Sequence, residues 1–407
     1  PLPADASPSE RLRPRPDVRI ERLKLHNFRN LEPLEVAVSP RVNILLGRNG
    51  QGKTNFLEGL SYLALGRSWR TAKDRELIGF DHDACQIEVG ARDDEGERIR
   101  LRASITREGK KKLEIDGQPV KRQADLVGNL SVVRFDPDEV ELAKGSPEHR
   151  RRFLDYTLSL CSAHYFRHLV DYRRAVAQKN RLLKQRDARL QAQLDAFDAE
   201  LLRSGVPLVV ERARLCGPLE DHARAAYGEL APRAGRLELE IGSTVDADDA
   251  RDEDLVRTAF ARRLEQQRTQ EITMRHALVG PHRDRLEVKL DGRSVRRYGS
   301  QGEKRTASIA LKLAQGELLY ERTNERPVVL LDDIFSELDR ARTGALQERL
   351  HREHQLFVAT ARVDHVVALR GWEDLKAWTV EDGRLTEIDT LDDDVIEAQR
   401  RALSEDA

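Results

Sequence analysis

VNILLGRNGQGKTNFLEGL, residues 42–60, is the stretch on which both fold and chemistry turn. Val42 to Leu46 is a short apolar run that reads as a buried strand. It stops at Gly47, and from Lys53 the spacing of Phe56, Leu57 and Leu60 is helical. Between them, Gly47-Arg48-Asn49-Gly50-Gln51-Gly52-Lys53-Thr54 fits G-x-x-x-x-G-K-[ST]. Glycines at 47, 50 and 52 let the backbone fold tightly, so that successive N–H groups point at phosphate oxygens over a helix N-terminus. Lys53 adds a point charge for the outer phosphates, and the Thr54 hydroxyl is a ligand for Mg²⁺. A glycine-rich turn that merely carries a lysine is the plainer alternative, but strand and helix stand where the motif needs them. The pattern predicts a nucleoside triphosphate site.

The 407 residues are enough for two or three domains. Charged residues make up 35%, yet Lys+Arg (70) and Asp+Glu (71) nearly cancel, so a nucleic-acid face requires local segregation of charge. Cys85, Cys161 and Cys216 are far apart and form no C-x-x-C pair. That argues against a zinc or disulfide framework and for a reducing, cytoplasmic setting. No apolar run is long enough to span a bilayer, so no membrane partner is expected. The chain begins at Pro1 rather than Met, which fits a processed or added N-terminus.

Working outward, residues 1–18 are Pro-rich and polar and read as a disordered lead-in. Residues 20–38 suggest a hairpin, and Ala84–Val89, Arg98–Ile105 and Lys112–Ile115 suggest antiparallel strands, with Ser131–Phe135 a further strand. From about 139 to 232 the pattern is helical. Phe166, Leu169, Tyr172, Val176 and Leu183 form one apolar seam, continued by Leu190, Leu194, Phe197 and Leu201 and ended by Ser204-Gly205-Val206-Pro207, after which a second helix starts. Such a seam is packing surface. Strands are expected at 237–241, 286–290, 328–331 and 356–359, and helices at 255–267, from Ser300, and at 340–351. The predicted organisation is a lead-in (1–18), the first half of a nucleotide-binding head (19–139), a helical arm (140–272), the second half of the head (273–388) and an acidic, frayed tail (389–407).

Pro327-Val328-Val329-Leu330-Leu331-Asp332-Asp333 is a buried strand ending in two carboxylates. In phosphate-loop proteins such a strand is expected beside the first, with Asp332 reaching the metal. Asp333, one residue on, is expected to point the other way and to orient or deprotonate an attacking water. Ser300-Gln301-Gly302-Glu303 opens a helix as a capping box. Gly302 also leaves the first turn bare, which makes an anion site that a second subunit's nucleotide would fill.

These residues carry a resemblance. The phosphate loop with Asn55 after it, the Ser300–Glu303 helix start, LLDD and Ser336-Glu337-Leu338-Asp339 are similar to the ABC-type ATPase heads of the SMC/RecF group. LHNFRN (25–30), GRSWRT (66–71), FDPDEVELAKGSPEHRRRFLD (135–155), GPHRD (280–284), YGSQGEKRTASIALKLAQ (298–315) and LLDDIFSELD (330–339) narrow it to the RecF family of bacterial recombination mediators. The resemblance implies an α/β fold: an ABC-type P-loop head, of mixed sheet plus antiparallel β subdomain, with an inserted, mainly helical second domain.

It further implies an ATP-dependent homodimer with ATP and Mg²⁺ as cofactors. Residues 47–55 and Asp332 of one copy hold the nucleotide, with Lys53 and Asp333 catalytic. Ser300, Gln301, Gly302 and Glu303 of the other copy close over it, and Asp339 lies at the interface. Implied work is binding gapped or junction DNA and loading RecA with RecO and RecR, with slow hydrolysis as a timer. Three departures stand out. Asp333 replaces the usual Glu. Ala359-Thr360-Ala361 lacks a switch histidine, leaving Thr360 to sense the γ-phosphate. No glutamine follows Ser131–Phe135.

Lys110, Lys111 and Lys112, then Arg150, Arg151 and Arg152, then Arg173, Arg174 and Lys179 are the candidate DNA contacts, since such charges displace counterions from phosphates. Each is equally readable as a solvated helix face balanced by acids. Few aromatics interleave them in sequence, which favours duplex backbone over stacked single strand. Arg29 and Arg70 either link nucleotide to DNA or form strand-end ion pairs. An energy-coupling ATPase subunit of a membrane transporter is the alternative function, opposed by the long helical insertion and the missing histidine.

Overall fold

A computed structural model describes residues 18–136, 140–185, 190–232, 235–351 and 354–404. The predicted lead-in lies, but for Val18, outside them. The chain forms two compact units, one of residues 1–137 with 319–407 and one of residues 138–318.

The first segment runs β1 (Arg19–His26), β2 (Leu34–Ala37), β3 (Val42–Leu46), α1 (Lys53–Leu65), β4 (Ala84–Arg92), β5 (Arg98–Thr106), β6 (Lys111–Ile115), β7 (Gln118–Pro119) and β8 (Val132–Phe135). The second unit holds α2 (Val140–Lys144), α3 (Pro147–Cys161), α4 (Ala163–Lys184), α5 (Leu190–Leu230), β9 (Leu237–Gly242), α6 (Glu253–Met274), β10 (Arg285–Leu290), β11 (Arg293–Ser294), α7 (Val295–Tyr298) and most of α8 (Gln301–Thr323). The chain then returns to the first unit with β12 (Val328–Asp332), α9 (Arg340–His351), β13 (Leu356–Thr360), α10 (Val363–Leu369), β14 (Leu375–Glu381), β15 (Arg384–Ile388) and α11 (Asp393–Ser404).

Two sheets build the first unit. One is antiparallel, in the order β2-β1-β4-β5-β6-β7. The other, β15-β14-β3-β13-β12-β8, is parallel except for its β15 edge. Every residue of β3, β12 and β13 is buried, which is why these strands are continuously apolar rather than alternating. The sheet also corrects an expectation. β12 does not lie beside β3, because β13 pairs with both and stands between them.

Three further expectations change. The arm was expected to end at residue 272, but β10 pairs with β9 residue for residue from Arg285↔Gly242 to Leu290↔Leu237, so this stretch builds the sheet of the second unit. Ser204-Gly205-Val206-Pro207 does not break a helix; α5 runs through it, with Pro207 and Pro218 inside. Gly205 is there for packing, since a Cβ on it would sit 2.8 Å from both Tyr172 and Phe260. The acidic tail is not frayed over its described part. α11 starts on an Asp392 cap (Val395 N–H to Oδ1, 2.9 Å), buries Ile396, and ties Arg400 to Asp364 at 3.0 Å.

Candidate functional site

The phosphate loop leaves the buried end of β3 and enters α1. Gly52, the residue before the helix, has φ 119°, a left-handed conformation that a side chain rarely adopts. Gly47 serves close approach instead: a Cβ there would fall 2.3 Å from the carbonyl oxygen of Val380. Gly50 and Asn49 are exposed at the crest of the loop, Arg48 is half-buried, and the Gly50 carbonyl accepts from Asn30 Nδ2 at 3.4 Å. Gln51 anchors the loop's far side by accepting the Gly383 N–H on its backbone oxygen at 3.0 Å.

Lys53 is 5% exposed, and its ammonium donates to the carbonyls of Gly47 (2.6 Å) and Arg48 (2.7 Å). Burial lowers its pKa, while Asp333 and Asp332 oppose that shift. Both carboxylates therefore act on this lysine. Asp333 leaves the strand with φ 50°, so the expected alternation across the pleat does not apply at it. Its N–H donates to the Ala359 carbonyl at 2.8 Å.

Thr54 Oγ1 donates to Asp332 Oδ2 at 2.7 Å, although β13 separates the strands that lead to them. The start of α1 spans that gap. Burial raises the Asp332 pKa, countered by the Thr54 hydrogen bond. Among the described residues no three acidic, His or Cys side chains form a metal cage. A hydroxyl beside one carboxylate is instead the set Mg²⁺ takes when phosphate oxygens supply other ligands, so the residues fit a magnesium nucleotide.

Two neighbours were missed in the sequence. The register Phe135↔Leu331 carries the chain from β8 to Asp136 alongside Asp332. Asp136 is buried, is held by Arg134 Nε at 2.6 Å, and raises the pKa of Asp332, so a carboxylate stands where a glutamine was sought. The Arg134 guanidinium in turn lies 3.8 Å over the Trp69 ring. The second neighbour is His365, five residues past Thr360 on α10. Its Nδ1 shares a 2.8 Å hydrogen bond with the Thr360 hydroxyl, which also accepts the Arg362 N–H at 3.0 Å. Thr360, the expected phosphate sensor, is 1% exposed and engaged there. A histidine thus stands by the end of β13, one turn into the following helix rather than next to the strand.

Arg29 and Arg70 form ion pairs, as the plainer reading expected, and they share one acid on a helix. Both bind Glu58, a fully buried carboxylate of α1, at 2.9 Å and 3.1 Å. Arg70 also donates to Asn55 Oδ1 at 2.6 Å, and Asn55 Nδ2 donates to Asn30 at 2.6 Å, so the residue after Thr54 is tied to this cluster.

In the second unit, the Ser300 N–H donates to Glu303 Oε2 at 2.7 Å and the Glu303 N–H to Ser300 Oγ at 3.2 Å. The capping box is formed. Ser300 and Gln301 are exposed, and nothing stands within 4 Å of a Cβ placed on Gly302. Asp339, in the first unit, caps α9 by accepting the Arg342 N–H at 2.9 Å.

The basic candidates divide. Lys179 is fully buried between Asp198 and Glu271, each at 2.6 Å, and Arg150 is 1% exposed, with its Nη1 on the Gly145 carbonyl at 3.0 Å. Neither can meet a phosphate; both face inward because their helix positions coincide with the apolar stripe. Arg151 donates to the Asp284 carbonyl, Arg152 pairs with Glu148, and Arg173 pairs with the buried Asp155 at 2.9 Å. Arg174 is exposed. Lys110, Lys111 and Lys112 pair with Glu108, Asp74 and Glu114 at the surface.

The family described as RecF/RecN/SMC N terminal domain matches residues 19–379. A relative named DNA replication and repair protein RecF, from Ligilactobacillus salivarius (strain UCC118), is 34% identical over 371 residues, 90% of this chain and 97% of its own. The chain belongs to the RecF family. A solved structure described as the recombination mediator protein RecF-ATPrS in the RecFOR pathway is similar with a TM-score of 0.83 and 28% identity, covering 92% of this chain and 99% of the other. An Smc head domain derived from Pyrococcus furiosus, at 16% identity and a TM-score of 0.53, covers 95% of this chain and 99% of its own and shares the fold alone. The fold is thus the ABC-type ATPase head predicted for the RecF family. No helix among the described residues is long and apolar enough to cross a membrane.

Proposed function

We propose that this protein is an ATP-gated DNA-binding protein of recombinational repair, a weak ATPase that pairs with a second copy at gapped or junction DNA and, with RecO and RecR, helps load RecA in the cytoplasm. The observation that carries this reading is the 2.7 Å Thr54–Asp332 contact beside the buried Lys53. It joins the end of the phosphate loop to the carboxylate strand across an intervening strand, which a plain glycine-rich turn would not require. The relatives support it, since one is named for DNA replication and repair and another was solved with a nucleotide.

Lys53, now on its own loop's carbonyls, turns to the outer phosphates. Thr54 and Asp332 would hold Mg²⁺, which would offset phosphate charge. Asp333 orients the attacking water and accepts its proton. A shorter side chain than Glu gives it less reach, which suits slow turnover. The Ser300 hydroxyl and the Gly302 N–H of the second copy would face the γ-phosphate, so the site is complete only in the pair.

Sedimentation of the full chain with and without ATP and gapped DNA tests this. A dimer that needs both is expected; a chain that hydrolyses ATP at full speed as a monomer on any DNA would overturn the reading. Ser300→Arg should leave nucleotide binding by the monomer intact and abolish pairing.

A further inference from the structure

Phe80 is 96% exposed, and among the described residues it is the one exposed large hydrophobic of the first unit; Val170, Leu255, Met274 and Tyr298 belong to the second. The ring is not on a slack tip. It sits in a turn closed by the His82 N–H on the Gly79 carbonyl (3.1 Å), and the Gly79 N–H is held by Asn27 O at 2.8 Å. One guanidinium fastens the whole turn: Arg107 donates to the carbonyls of Gly79 (2.8 Å), Phe80 and His82. The Arg107 N–H adds a bond to Asp83 O at 2.8 Å. Backbone and clamp alone hold this conformation, so nothing internal calls for an aromatic side chain.

Arg107 also opens the β5–β6 turn, closed by the Thr106 N–H on Lys110 O at 2.9 Å, and that turn leads into Lys110, Lys111 and Lys112. An aromatic ring thirty places away in sequence is thereby joined to the lysine cluster. Exposed Arg75, Lys110 and Lys112 are matched at this end of the sheet by Asp81, Asp83 and Glu108. Bulk positive charge is therefore not what this tip offers a ligand. A protein partner's pocket would want an apolar rim around its anchor, and the exposed residues that follow Phe80, Asp81 to Asp83, are polar, while Leu77 and Ile78 before it are buried. A lone ring on a fixed backbone turn, joined through Arg107 to the turn that leads into the lysines, suits a nucleobase.

We propose that Phe80 is a base-stacking residue, covering the uncovered face of the base at a duplex end, where double strand gives way to single, while Lys110 and Lys112 follow the backbone. This rests on the DNA-binding reading above and adds the feature that distinguishes a junction from continuous duplex.

The test uses the full chain with MgATP, and two probes: closed-circular duplex, which has no ends, and a junction duplex carrying a fluorescent adenine analogue as its first unpaired base. Phe80→Ala should weaken junction binding about tenfold and leave the circle unchanged. That ratio should hold as salt rises, because stacking releases no counterion. Phe80→Trp should keep the affinity, and the junction should quench its indole emission beyond any change in the wild-type emission of Trp69, Trp372 and Trp378. Equal junction binding by Phe80→Ala, or indole emission that responds only to an added protein partner, overturns the proposal alone. Wild-type chain that binds neither probe overturns the DNA-binding reading and this one with it.

Discussion

Lys53 and Lys179 are both buried lysines on helices, one in each unit, and they do opposite things with their charge. Lys53 starts a helix after a glycine loop; its ammonium rests on two backbone carbonyls, and burial lowers its pKa. Lys179 lies mid-helix, closed between Asp198 and Glu271, with Arg268 on the other oxygen of Asp198 at 2.8 Å and the Leu278 N–H on Glu271 at 2.7 Å. The first charge can be handed to a ligand, because carbonyls of the same loop lose little when it leaves. The second cannot, because two carboxylates would be stranded. A buried cation is thus a candidate for ligand chemistry only when its partners are neutral.

The largest effect that this contrast predicts is on Lys179. Lys179→Met should cost about 3–5 kcal/mol of stability by urea unfolding, with no loss of DNA affinity at temperatures where the chain stays folded. Lost DNA binding at unchanged stability would break the comparison. Lys53→Met should do the reverse, weakening ATP by about 2–3 kcal/mol in equilibrium dialysis and leaving the unfolding midpoint nearly unmoved.

Between these in kind is His282 of the second unit, whose Nδ1 accepts from Tyr172 OH at 2.6 Å and whose Nε2 donates to Ala277 O at 3.2 Å. Burial lowers its pKa from 6.5 to about 4. The unfolded chain then binds the proton first, so stability falls as pH drops through this window. The loss should be on the order of 2 kcal/mol between about pH 7 and pH 5, and His282→Gln should flatten it. An unchanged slope in that variant would assign the pH dependence elsewhere. The smallest effect sharpens the contrast within one helix. Arg174→Gln, five residues before Lys179 but exposed, should make the salt dependence of DNA binding shallower by about 0.9 and move stability by less than about 0.5 kcal/mol.

Legibility followed the range of the physics. The phosphate loop could be read because its residues act on one another over a few positions. The strands β3, β12 and β13 could be read because burial on both faces leaves an unbroken apolar run. β14 was passed over, since Leu375–Glu381 mixes Lys, Thr and Glu with its apolar residues. Pro207 signals a helix break in sequence because proline removes a backbone donor and clashes with the preceding turn. Here the packing of α5 against Tyr172 and Phe260 through Gly205 outweighs the lost hydrogen bond. Lys179 and Arg150 were read as surface charge because a helix face shows its composition in sequence but not which side is covered.

The order of residues determined by itself that a phosphate cradle, a carboxylate strand and a capped, glycine-opened helix exist, each being a local arrangement of backbone and neighbouring side chains. Tertiary structure decided what those parts touch: that Asp332 reaches Thr54 across β13, that Asp136 and His365 join the site, and that Arg107 fastens the Phe80 turn to the β5–β6 turn. Contacts between residues far apart in the chain depend on sheet order and register, and no short stretch of sequence encodes either.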